Sequence, residues 1–360
     1  MKLISIQYLR ALAALSVVVS HLYAPLSRLG YSGYLPGFSA AGVDLFFVIS
    51  GFIMWVTTCE GGIGPLQFYR KRIVRIVPLY WTVTTLIVVV MLFRPSLLVT
   101  SAFDLHHVVM SYLFIPSIHP VLGSVEPVLT QGWTLNYEMF FYVLFGAALA
   151  LPLRFRLPAT LAALCGLALI GIVAMPRDTL SSFYTSSIIV EFGFGLVVGS
   201  LFMRGGRISS VWAILLIVAG LGAIPIGEVL FGLAGRVLGG GLPSALLVAG
   251  VVYLERNRAV PEWILPLRLG DASYSIYLFH TILLAGLLHF WPRPSAGFQT
   301  LNHLAFGLAG LGVTCAGGLI LYYLVEKPAV GLLRDRRNRH VGAPSGRPLV
   351  GASAGEPGSR

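Results

Sequence analysis

The stretch "YLRALAALSVVVSHLY", Tyr8–Tyr23, reads as a membrane-crossing helix that keeps an arginine near one end and a histidine near the other. A bilayer crossing takes about 20 mostly apolar residues. Ionisable side chains inside such a run are costly and default to a functional reading. Arg10 and His21 are eleven residues apart. At 3.6 residues per turn this is about three turns, so the two share a helix face and stand about 16 Å apart along the axis. A snorkelling Arg10 and an interfacial His21 would account for the pair without any chemistry. The remaining polar residues decide between these readings.

Of the 360 residues, 56% are hydrophobic and 11% are charged, whereas soluble domains carry about 25% charged residues. The composition excludes an ordinary soluble enzyme and points to an all-α, polytopic integral membrane protein. Ten spans are expected, at 6–24, 40–58, 75–93, 133–151, 158–175, 186–203, 211–227, 237–254, 270–290 and 304–325. The apolar run "LHHVVMSYLFIP" at 105–116 is too brief to cross, so it is expected at the interface or as a re-entrant piece. No cleaved signal peptide is expected, because the first apolar run is too long and lacks a small-residue cleavage site. Cys59, Cys165 and Cys315 are far apart and read as packing residues, with neither disulfide nor metal spacing. The organisation expected is a transmembrane domain over 1–333 followed by a basic, then disordered, tail over 334–360, rich in Gly, Pro and Ser.

With the N-terminus inside, 20 of the 25 Lys and Arg residues fall in inner segments, leaving Arg28, Arg94, Arg177, Arg236 and Arg293 outside. This bias follows the positive-inside rule and places both termini in the cytoplasm. The net charge of +11 is then a matter of cationic loops beside anionic membrane lipid, and no nucleic-acid partner is expected.

Three acids, Asp44, Glu138 and Glu191, lie about one turn in from the outer ends of their spans, at the expected depth of His21. A histidine with a nearby carboxylate has the parts of a general base. Each acid could equally form a structural interhelical hydrogen bond, and which one meets His21 stays open. At the inner mouth, "FYRKRIVRIVPLYW" (Phe68–Trp81) puts Arg72 and Arg75 on one helical face. They either anchor the topology or, with Tyr80 and Trp81, suit a phosphorylated cofactor bearing an aromatic base. His280, deep in the ninth span, is a packing histidine or a second catalyst. Glu326 sits at the inner boundary of the tenth span, where Pro328 is expected to stop the helix. His106 and His107 read as surface residues, and the glycines of Gly193–Gly199 as sites of close helix packing. No metal site is expected.

In order along the chain, Arg10 and His21, "GVDLFFVISGF" (Gly42–Phe52), Arg72 and Arg75 before "PLYW", "WTLNYEMFFY" (Trp133–Tyr142), "SYSIYLFH" (Ser273–His280) and Glu326-Lys327-Pro328 form a set. In this the chain resembles the membrane-bound acyltransferase family 3, in particular its bacterial exopolysaccharide O-acetyltransferase branch. The resemblance implies ten spans in the bacterial inner membrane and transfer of an acetyl group from cytoplasmic acetyl-CoA. The acceptor implied is a hydroxyl of an exopolysaccharide or other surface glycan, as a sugar or lipid-linked oligosaccharide, with polysaccharide assembly and export machinery as a further partner. It marks His21 as the catalytic residue, a general base or an acyl acceptor, and Arg10, Arg72 and Arg75 as basic residues near the donor. Tyr137, Tyr142 and Ser50 are candidate oxyanion donors. A multi-span transporter of a lipid-linked glycan or acyl group is the competing class, and no inverted repeat supports it.

Overall fold

The computed structural model describes residues 3–33, 41–60, 62–97, 102–231, 235–258, 260–292 and 298–331. In chain order its helices are α1 (Ile4–His21), α2 (Tyr23–Arg28), α3 (Ala41–Thr58), α4 (Pro65–Phe93), α5 (Leu105–Tyr112), α6 (Trp133–Ala148) and α7 (Leu153–Ala174). They continue with α8 (Thr179–Tyr184), α9 (Val190–Met203), α10 (Ser210–Phe231), α11 (Leu242–Arg256), α12 (Ile264–Asp271), α13 (Ser273–Phe290) and α14 (Gln299–Leu321). An isolated bridge between Ile118 and Val125 is the β-type pairing among the described residues.

Among those residues, nine helical segments are long and apolar enough to cross a membrane, which makes this a polytopic, all-helical integral membrane protein. The expected span at 133–151 is α6, whose 16 residues reach only about 24 Å at 1.5 Å per residue. It ends in a turn before Pro152, and a 3-10 turn at Thr130–Gly132 extends its start. The expected tail at 334–360, and with it the domain boundary, lies outside the described residues.

Which helices face lipid follows from how their apolar surface is spent. Only 17% of the most apolar window is buried in α7 and in α10, against 78% in α3. A helix apolar on all sides and mostly uncovered needs lipid around it, whereas α3 is the central post. Its tightest neighbour is α9. A Cβ on Gly51 would stand 2.0 Å from the Phe192 carbonyl oxygen, and one on Gly195 2.0 Å from that of Val48. Only glycine on both helices permits this backbone approach, so the glycine run of α9 packs as its composition suggests.

The two ends of the bundle are tied differently. The start of α1 has no side-chain cap of its own. Instead the Ile4 and Ser5 amides donate to the Glu255 carboxylate at 2.8 and 2.9 Å, satisfying two of the first-turn N–H groups every helix leaves open. Arg256 beside it donates to the carbonyls of Gly206 and Phe202, both at 2.7 Å. The start of α1 and the ends of α9 and α11 thus meet at one end, which we term the basic end.

Two helices depart from their expected limits. α4 begins with Pro65 in its first turn, ten residues before the expected start of the span, so the helix that carries Arg72 and Arg75 extends through Phe68. α14 runs on through a π turn, Tyr322–Glu326, to residue 331, so Pro328 does not stop it. A π turn shifts bonding to i→i+5 and eases the clash of a proline ring with the carbonyl four residues back.

The short run at 105–116 forms α5, which lies against α4 instead of crossing. Tyr80 Oη donates to the Ser111 carbonyl at 3.1 Å and Trp81 Nε1 to that of Tyr112 at 3.0 Å. Asp104 caps its start by accepting from the His107 amide at 2.6 Å.

Candidate active site

Between α1, α3, α4, α6 and α13 lies a cavity of about 330 Å³. Arg10 enters it from α1, and Arg72 and Arg75 enter it from one face of α4, as their spacing of three predicts. The two α4 arginines differ in what they already hold. Arg75 Nη1 is paired with Glu326 Oε1 at 2.6 Å, and Ser275 Oγ donates to the other carboxylate oxygen at 2.5 Å. Arg72 lies over the rings of Phe68 and Tyr142 at 5.6 and 5.9 Å, and its buried Nε has no hydrogen-bond partner. Arg10 has one long contact, Nη1 to Gln7 Oε1 at 3.3 Å. Two guanidinium groups therefore face the cavity with donors to spare, the arrangement that binds phosphate oxygens. On the facing wall, Glu138 Oε1 accepts from Ser50 Oγ at 3.0 Å and from Tyr142 Oη at 2.5 Å.

His21 stands apart from this cavity. Its Nδ1 is 2.9 Å from the Val17 carbonyl oxygen. A carbonyl only accepts, so this contact assigns the proton to Nδ1 and leaves Nε2 with a free lone pair. The His21 ring meets that of His280 edge to face, with centroids 4.8 Å apart at 73°. His280 in turn hydrogen-bonds the Tyr277 carbonyl through Nδ1 at 2.6 Å. Tyr277 lines the cavity, and its hydroxyl donates to the Gln131 carbonyl and meets Thr134 Oγ1, both at 2.7 Å. Tyr277 thus touches both the arginine-lined cavity and, through its carbonyl, His280.

The layer expected for His21, Asp44, Glu138 and Glu191 does not form one site. Asp44 Oδ1 accepts from Arg236 Nε at 2.6 Å, and Arg236 also lies over the Trp133 ring. Glu191 on α9 is fully buried near Asp44, and neither of its carboxylate oxygens has a hydrogen-bond partner. A Cβ on Gly240 would stand 2.2 Å from Asp44 Oδ2, and one on Gly241 2.7 Å from Glu191 Cγ. The π turn Val237–Gly241 therefore closes over both acids. Glu138 belongs to the cavity, and no carboxylate among the described residues hydrogen-bonds His21. Depth along a helix does not fix the direction each side chain faces. Tyr80 and Trp81 likewise do not line the cavity, because both are spent on holding α5. Its aromatic wall is Phe46, Phe47, Tyr142, Tyr274 and Tyr277.

Several of these residues were missed. Arg236 counted only as an outer cation, and Gln131, Thr134 and Tyr277 carry no charge to flag them. The spacing of Tyr274, Tyr277 and His280 at three residues in "SYSIYLFH" is the one signal that they share a face. No group of three or more His, Cys, Asp or Glu suited to a metal ion occurs among the described residues.

His107 is not a surface residue, since it is only 2% exposed. Its Nδ1 meets Ser117 Oγ at 2.9 Å, and its ring packs on His119, whose Nδ1 accepts from the Val121 and Leu122 amides. Burial, with the neighbouring His119 adding to it, pushes His107 from the ordinary 6.5 down to about 4. Burial lowers His119 as well. Neutral in the folded state, these groups bind more protons when the segment opens, so stability rises with pH across this window. It should be complete above about pH 6.5 and fall as the pH drops toward 4. Hydrogen exchange over residues 105–129, corrected for its intrinsic pH dependence, should therefore quicken in that range. Unchanged protection down to pH 4 would contradict the linkage.

A family model described as an acyltransferase domain matches residues 3–323. The exopolysaccharide production protein ExoZ of Rhizobium meliloti (strain 1021) is 39% identical over 311 residues, covering 84% of this chain and 92% of that protein. The protein ORF330 of Acidianus two-tailed virus is 28% identical over 295 residues, covering 77% of this chain and 82% of that protein. No solved structure matches the chain.

Proposed function

This chain belongs to the acyltransferase-domain family, and on that premise we propose that it carries an acetyl group from acetyl-CoA to a hydroxyl of an exopolysaccharide or related surface glycan. The observation that carries the reading is the cavity in which Arg10 and Arg72 keep unspent donors while Arg75 is matched to Glu326. The CoA phosphates would take those donors, with the basic end of the bundle facing the cytoplasm of a bacterial inner membrane. The pantetheine arm, about 15–20 Å long, matches the three helical turns that separate Arg10 from His21. It would run along the cavity toward Tyr277, beyond which lie His280 and His21.

At His21, the free Nε2 lone pair takes the proton from the glycan hydroxyl as its oxygen attacks the thioester carbon. The C–S bond breaks, and the same nitrogen returns the proton to the departing thiolate. A covalent acyl-imidazole at Nε2 is the alternative route for the same residue. Glu138 holds the Ser50 and Tyr142 hydroxyls in the cavity wall, while Asp44 and Glu191 hold the helices around it. The acceptor fits a lipid-linked glycan presented from the outer side, in company with polysaccharide assembly and export machinery.

The direct test is mass spectrometry of the host's surface polysaccharide with and without this protein, coupled to labelled acetyl-CoA fed to membranes. Labelled ester on the glycan only when the protein is present supports the reading. Glycan or acyl-group counterflow in vesicles without any acyl donor would replace it with a transporter. Arg72→Ala should weaken acetyl-CoA binding to the detergent-purified protein by roughly 1.5–3 kcal/mol, the range for a hydrogen bond to a charged group. Calorimetry giving unchanged affinity would remove Arg72 from the donor site.

A further inference from the structure

His280 is fully buried, and its Nε2 has no hydrogen-bond partner. Its Nδ1 contacts the Tyr277 carbonyl, which only accepts, so the proton is on Nδ1 and the lone pair on Nε2. A buried polar atom left unpaired carries a desolvation cost that leucine or phenylalanine in the same space would avoid. Such an atom calls for an explanation beyond packing.

The backbone around this imidazole is held from one side. Gln131 Nε2 donates to the Leu278 carbonyl at 2.8 Å and to Thr281 Oγ1 at 3.0 Å, while the Gln131 carbonyl accepts from Tyr277 Oη at 2.7 Å. Residues 277, 278 and 281, on both sides of His280, are thus tied to the one side chain and carbonyl of Gln131. Fixing a group this way is what a pre-organised site requires. Its ring is presented to His21 at 4.8 Å.

We infer that His280 is a positioning residue for His21, a neutral imidazole that orients the catalytic ring and stabilises the imidazolium formed during transfer. The role rests on the acyl-transfer reading above. When the hydroxyl proton moves to His21 Nε2, that ring becomes cationic. Its Nδ1–H remains on the Val17 carbonyl, and its charge faces the His280 imidazole. The His280 imidazole, 4.8 Å away and edge to face with it, is the neutral polar group beside that charge, and its unpaired Nε2 lone pair is able to accept from an N–H. His280 neither gains nor loses a proton over the cycle, since the proton passes from hydroxyl to His21 to thiolate.

The test uses inverted membrane vesicles from the host, which carry the native acceptor, and measures initial acetyl transfer against acetyl-CoA concentration. His280→Leu removes both ring nitrogens at similar bulk, and His280→Gln restores a donor and an acceptor. We expect His280→Leu to lower kcat by about tenfold to a hundredfold, with the KM for acetyl-CoA and the protein's abundance in the membrane unchanged. His280→Gln should recover part of the loss. Wild-type kcat in His280→Leu, while His21→Ala is inactive, overturns the role of His280 alone. So does a loss that tracks abundance or that His280→Gln does not relieve. If wild-type vesicles transfer no acetyl group, or His21→Ala transfers it normally, the parent reading falls and this inference with it.

Discussion

Replacing His21 with alanine should remove the acyl ester from the host's surface glycan while the protein stays in the membrane at its normal level. A positioned acid–base group contributes about 10²–10⁴-fold to rate, or roughly 3–5 kcal/mol at 1.36 kcal/mol per decade. The stability cost should be small, because the ring is exposed and its hydrogen bonds are local, to Val17 and Ser20 of its own helix. Substitutions at such positions usually stay within about 0.5 kcal/mol. Activity and abundance are therefore expected to separate completely. Normal ester content, read by mass spectrometry of the polysaccharide, would sink the assignment of His21. Ester and protein lost together would instead show a structural role.

Arg236→Met should have the opposite signature, a loss of folded protein with no direct effect on chemistry. Asp44 is 2% exposed and Glu191 is fully buried, and Arg236 is the cation bonded to Asp44. Removing one partner of a buried ion pair costs about 3–5 kcal/mol, because the remaining charge has lost its compensation. Here the loss leaves two carboxylates facing each other beneath the π turn. The expected readout is a lower thermal midpoint and less monodisperse protein in detergent. Adding Asp44→Asn should return part of that stability, and the double-mutant cycle measures the coupling. If Arg236→Met is as stable as the parent, a proton shared between Asp44 and Glu191 suffices and the arginine is dispensable.

The division between what the sequence revealed and what it hid follows from the range of each signal. Spans are local: a run of about 20 apolar residues declares itself regardless of its neighbours. Only α6, shortened by the turn before Pro152, failed to reach full crossing length. The cationic cavity was also legible, because Arg10, Arg72 and Arg75 share an end of the bundle and Arg72 and Arg75 share a helix face. The partners of His21 were not. Asp44, Glu138 and Glu191 have suitable depths, but depth leaves rotation about each helix axis free. That rotation is set by contacts such as those of Gly51 of α3 with Phe192 and of Gly195 of α9 with Val48, on the helix pair that carries Asp44 and Glu191. The Gln131–Tyr277 network was invisible for another reason. Its members are neutral, and nothing in a membrane sequence marks a neutral hydrogen-bonding residue as costly.

The capping of α1 by Glu255 has a consequence for donor selection. Residues 11–20 contain no proline or glycine, so the segment between Arg10 and His21 is a stiff rod whose lower end is clamped to α11. Neither group can drift toward the other to accommodate a shorter or longer donor. An inserted residue would turn one by about 100° against the other and displace it by 1.5 Å. Under the proposed chemistry, the enzyme would gauge its donor by the length of the carrier arm before it ever tested the acyl group. Thioesters on a truncated carrier should then fail even when their acyl group is correct.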